Sequence, residues 1–125
     1  MGQTELIEGE ALALAAAGYA DDKGAECIEV LDLRGISSLA DYFVVCTGTS
    51  LPHLKAIRRE VDEKLSVDHG VDPRAIDGTA ESQWLVLDYV DVIVHVFHKD
   101  LRDNYALEDL WSDAARVDFE PTVAG

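Results

Sequence analysis

Basic residues are scarce in this chain. Ten Lys and Arg stand against 25 Asp and Glu, giving a formal charge of −15 over 125 residues. Nucleic-acid binding draws much of its strength from cations that neutralise phosphates. No local basic run offsets the imbalance, which argues against direct nucleic-acid readout and favours a basic protein as partner. Cysteine is nearly absent as well, with Cys27 and Cys46 alone. There is no CxxC and no Cys/His spacing suited to zinc, so both thiols are expected to be small buried hydrophobes in a reducing compartment. Long apolar runs are missing: none approaches the ~20 residues of a membrane span. The Ala-rich stretch 11–17 follows Glu5, Glu8 and Glu10 rather than a basic segment, so no signal peptide is read there. A cytoplasmic protein without membrane contact, metal or cofactor is the expectation.

The chain is long enough for one domain with its own core, and 48% hydrophobic with 28% charged residues is ordinary globular composition. A first helix is expected from a Thr4 cap to about Tyr19, burying Ile7, Ala11, Leu14, Ala15 and Gly18. The residues 27–32 (CIEVLD) read as a strand. Residues 42–47 (YFVVCT) read as a strand buried on both faces. Ser50 as N-cap, Pro52 in the first turn, and Leu54, Ile57, Val61 and Leu65 on one face define an amphipathic helix that Gly70 stops. Residues 71–81 read as a polar connection. Two short helices are expected over 101–105 and 107–115, with a frayed tail at the end.

The central stretch is 82–97, SQWLVLDYVDVIVHVF. Two β-rich runs flank a polar break and predict a hairpin with Tyr89-Val90 as its loop, which sets Trp84 opposite His95 and Asp88 opposite Asp91. Alternation sorts the side chains into two faces. Leu85, Leu87, Val92, Val94 and Val96 are to lie under helices. Trp84, Val86, Asp88, Asp91, Ile93, His95 and Phe97 share the other face. Like charges facing each other repel. Either solvation and Asx hydrogen bonds relieve the two aspartates, or they receive Lys or Arg from a partner, with Trp84 as an aromatic anchor.

Catalytic patterns are thin. Gly48-Thr49-Ser50, between strand and helix, could hold a phosphate on backbone N–H groups, but a capped turn is the plainer reading. A nucleotidyl-transfer enzyme would also need carboxylates for two Mg²⁺ ions, and the sequence has no Asp-x-Asp. The four histidines form neither HxxxH nor HExxH. No enzyme activity is expected.

The segments Val30-Leu31-Asp32-Leu33-Arg34, Ser37-Ser38, Ala40 to Gly48 with Ser50, Trp84 to Tyr89, Asp91 to Phe97 and Tyr105 to Trp111 resemble, in order, the signature of the ribosomal silencing factor family, also called Iojap-like. That resemblance implies an α/β fold: a single small domain over residues 1–115 with a flexible tail at 116–125. Its mixed β-sheet would have about four to five strands flanked by helices, in a nucleotidyltransferase-like outline without the catalytic residues. It implies a translation repressor that acts in starvation. Such a protein would dock on the large ribosomal subunit through ribosomal protein L fourteen and block subunit association sterically; relatives in organelles act in large-subunit assembly. It also implies a homodimer when free. The partner-binding set expected here is Trp84, Asp88, Tyr89, Asp91 and His95, with Asp41 and Tyr42 as weaker members. One departure stands out: family members usually carry a small residue, often Gly, where this chain has Val90. A β-branched residue resists the positive φ of a type I′ turn, so another turn is expected.

Overall fold

The computed structural model describes residues 7–101 and 114–119. Helix α1 spans Gly9–Asp22 and α2 spans Leu51–His69. The strands are β1 (Glu26–Asp32), β2 (Tyr42–Gly48), β3 (Ala75–Thr79), β4 (Trp84–Asp88), β5 (Val92–His98) and β6 (Ala115–Val117). They form one mixed sheet in the order β3-β4-β5-β2-β1-β6. Only the β2–β5 contact is parallel, and α2, β3 and β4 lie in the connection between those two strands. The sheet has six strands rather than four or five, because β3 and β6 join as short edges.

Neither edge carries a strand signature of its own. The β3 residues AIDGT are exposed throughout and are held by pairing with β4. Strand β6 pairs with β1 and puts Arg116 and Val117 in the sheet, where a flexible tail was expected from residue 116. Of the helices expected over 101–115, Leu101 is helical, whereas Ala114 is not and Ala115 lies instead in β6; the rest falls outside the described residues, as do the Thr4 cap and the last six residues.

Both helices cover one face. Leu54, Ile57, Val61 and Leu65 of α2 are buried, Ser50 Oγ accepts the His53 N–H at 3.1 Å, and Gly70 closes the helix at φ 66°. Each follows from spacing and cap chemistry. Helix α1 instead buries Leu12, Ala13, Ala16, Ala17 and Ala20, a stripe rotated from the expected one. Its first half is almost uniformly small and apolar, so periodicity does not say which side faces in. These side chains meet Val30, Tyr42, Val44, Cys46, Leu85, Leu87, Tyr89, Val92, Val94 and Val96 beneath the helices. A second cluster lies on the opposite face: Leu31, Leu33, Ala40, Phe43, Val45, Phe97 and Ala114. Strand β2, buried at every position, separates the two. Cys46 is buried as expected, whereas Cys27 is exposed at φ 49° where the β1–β2 register slips.

Candidate functional site

The hairpin of β4 and β5 pairs Trp84 with Phe97, Val86 with His95 and Asp88 with Ile93. This register is displaced by two residues from the one with Tyr89-Val90 as the loop. Because side chains alternate with period two, an even displacement keeps every residue on its expected face. Leu85, Leu87, Val92, Val94 and Val96 do lie under the helices, and Trp84, Val86, Ile93, His95 and Phe97 lie on the other side.

That other side is closed at its centre and open along β4. Phe97 and His95 are sealed, Val86 and Ile93 are half-buried, and Trp84 is 40% exposed. Diagonally across the ladder, Trp84 Nε1–H donates to Nδ1 of His95 at 3.1 Å. The Trp84 ring also lies against Phe97, centroids 4.9 Å apart, and Phe43 meets His95 edge-on at 4.5 Å. Burial drives the His95 pKa from 6.5 down to about 4, so the imidazole is neutral near pH 7 and its Nδ1 is an acceptor. The indole is thus held in one rotamer with an open face. This geometry suits an anchor that enters a partner's pocket with little further ordering cost.

The two aspartates are not a facing pair. Burial alone would raise the Asp88 carboxyl, but it accepts Arg74 Nη2–H at 2.7 Å and the Val90 N–H at 2.8 Å, which hold it below the ordinary range. The bond from Val90 N–H is the Asx relief that was one of the two alternatives, and the cation that the other assigned to a partner comes from Arg74 of this chain, in the segment read as a polar connection. Asp91 works elsewhere: its Oδ2 accepts the Gly9 N–H at 2.6 Å. Glu8, at the N-cap of α1, makes no side-chain cap bond, so Asp91 takes that role from across the fold. The Asp91 carbonyl also accepts the N–H groups of Asp41 and Tyr42 at 2.9 and 3.0 Å.

Two further residues expected at the partner surface are interior. Tyr89, at the hairpin, is 5% exposed and packs with the helix-side core, where burial raises its phenol pKa. Tyr42 is 3% exposed on the same side, with the Arg34 guanidinium 5.3 Å from its ring centre. Asp41 is exposed. His95 is sealed beneath Trp84 rather than displayed. Val86 and Ile93 complete the open strip, and alternation had already placed them there. Exposed Ile36 and Leu39 project from the loop between β1 and β2.

The Gly48–Ser50 turn is internally satisfied. The Thr49 N–H donates to His53 Nδ1 at 3.0 Å, and the His53 N–H is taken by Ser50 Oγ. His53 Nε2–H in turn meets the Lys23 carbonyl at 2.7 Å. A Cβ on Gly48 would sit 2.6 Å from Leu54 Cδ2, so the glycine allows α2 to pack closely on β2. Among the described residues no group of three His, Cys, Asp or Glu could hold a metal ion, and no helix is long and apolar enough to cross a membrane.

The family model described as ribosomal silencing factor during starvation matches residues 7–124. A ribosomal silencing factor of Bacillus subtilis is 45% identical over 84% of this chain and 88% of its own length. Among solved structures, a protein of Chromobacterium violaceum is similar with TM-score 0.79 and 30% identity, over 94% of this chain and 95% of that one. A protein of Bacillus halodurans is similar with TM-score 0.75 and 36% identity, over 89% of this chain and all of that one.

Proposed function

The chain belongs to the ribosomal silencing factor family, and from that premise we propose that it lowers translation by occupying the large ribosomal subunit. The docking partner in this reading is ribosomal protein L fourteen, on the face that meets the small subunit. Bound there, a folded domain obstructs subunit joining by its volume alone. No reaction is required, and none is assigned to the chain. The setting is the cytoplasm, under starvation.

The observation that carries the reading is the open strip along β4, with Trp84 fixed by His95 and the strip continued by Val86 and Ile93. An oriented aromatic with aliphatic neighbours is the usual centre of a binding hot spot. The charge of −15 supports it, since an acidic domain is drawn to a basic ribosomal protein and repelled by bare RNA. Asp88 sits at the far end of β4 and keeps its negative charge, although Arg74 shares it. Tyr89, Tyr42 and Asp91 act in this account as supports of the surface. In the free protein the same strip is available for self-association into a homodimer.

Co-sedimentation with purified large subunits tests the proposal. Wild-type protein is expected in the subunit fraction, with Trp84→Ala left in the supernatant. Equal recovery of both would move the interface off this strip.

A further inference from the structure

A second surface lies on the helix side of the β3 edge, across the sheet from the Trp84 side chain. Here α2 and β3 enclose a groove of about 310 Å³ lined by Lys55, Arg58, Ile76, Thr79, Glu81 and Leu85, among others. Its floor is apolar, from Ile76 and Leu85, and Lys55 and Arg58 stand on the α2 wall. Arg34, Arg74 and Arg116 each pair with a carboxylate of this chain, at 2.8, 2.7 and 3.2 Å. Among the described residues, no carboxylate comes within ion-pair distance of Lys55 or Arg58. In a chain with 25 acids, two cations without an ion pair among the described residues, against the single acid Glu81 in the same lining, are a local reversal of charge.

The groove adjoins an open sheet edge. Strand β3 is the outermost strand, and all five of its residues are exposed. Its ladder with β4 runs unbroken from Ala75 to Thr79, so the strand geometry that would template another strand is intact. In an edge strand, alternate residues direct both N–H and C=O away from the sheet, and an added peptide satisfies them. The usual protections are thin here: Pro73 lies before the strand, and Asp77 shares the face of its partner Val86, opposite the groove.

We infer that the β3 edge and the α2–β3 groove together form a docking site for an extended acidic segment of a partner protein, which adds as a seventh strand and places a carboxylate between Lys55 and Arg58. Charge complementarity selects this occupant. A basic segment would meet both cations, and a small anion would leave the strand edge unused. The groove lies on the opposite face of the sheet from the Trp84 side chain, although β3 pairs directly with β4 and sets Thr79 beside Trp84.

The test titrates ¹⁵N-labelled protein with a short synthetic peptide of alternating Val and Glu, with the same peptide carrying Lys for Glu, and with inorganic phosphate. The Glu peptide is expected to shift the amides of residues 75–79 and slow their hydrogen exchange by about tenfold or more. The double variant Lys55→Glu/Arg58→Glu is expected to weaken that binding by about tenfold or more, with its thermal melt confirming the fold. Equal binding of the Lys peptide would overturn the inference. So would phosphate reproducing the same shifts, or unchanged exchange at β3 in saturating Glu peptide.

Discussion

Trp84 and His95 are joined by a single hydrogen bond, indole Nε1–H to imidazole Nδ1 at 3.1 Å, and the two residues divide one task between them. His95 is sealed within the sheet face and orients; Trp84 is exposed and, in the proposed docking, makes the contact. Truncating the indole removes contact area from the binding surface while its own half-open site loses little packing. Trp84→Ala is expected to weaken large-subunit binding by about 2 kcal/mol or more with a smaller effect on stability. Trp84→Phe, which keeps a ring but loses the N–H, should fall between. Parallel binding titrations and urea melts of the three proteins measure both quantities.

Acid should loosen the same pair. The His95 pKa lies at about 4 in the fold because burial disfavours the cation, against 6.5 in the unfolded chain. The unfolded state therefore takes up the proton first. The neutral-imidazole contribution is complete above the unfolded value and is lost as pH falls from 6.5 towards 4. Integrated over that window the loss is on the order of 3 kcal/mol. His95→Gln removes the titration, so its stability should fall less steeply over the same pH range. Parallel slopes for the two proteins would contradict the assignment.

Asp91 is expected to behave as a cap. Asp91→Ala leaves the Gly9 N–H without its acceptor and should cost about 1–2 kcal/mol of stability. Hydrogen exchange should rise first at the start of α1. A variant of unchanged stability that fails to bind large subunits would return Asp91 to the docking surface.

Val90 stores strain. It sits at φ 79°, inside a turn closed by the Asp91 N–H on the Tyr89 carbonyl at 3.1 Å. A β-branched side chain disfavours that region, and glycine does not. Val90→Gly is expected to stabilise the fold by about 1 kcal/mol, seen as a higher urea midpoint at constant slope.

The contrast between Val90 and Trp84 shows what was legible in the sequence. Period-two alternation assigned Trp84, Val86, Ile93 and His95 to one face, and that survived a register error because the displacement was even. The turn itself was misplaced. The Tyr89 ring lies in the helix-side core, and Val90 beside it takes a conformation that local preference argues against. Helix α2 was legible end to end from Ser50, Pro52, its apolar spacing and Gly70. Strand β3, with one large aliphatic side chain among Asp, Gly and Thr, exists through tertiary pairing alone. The Arg74–Asp88 and Gly9–Asp91 contacts join segments distant in sequence, and nothing local announces them.

Sedimentation of mixed small and large ribosomal subunits, with and without the purified protein, reads out subunit joining itself. Added protein is expected to travel with the large subunit and shift joined ribosomes towards free subunits, with Trp84→Ala failing to do so. A subunit profile that stays the same while wild-type protein saturates the large subunit would contradict silencing by steric obstruction.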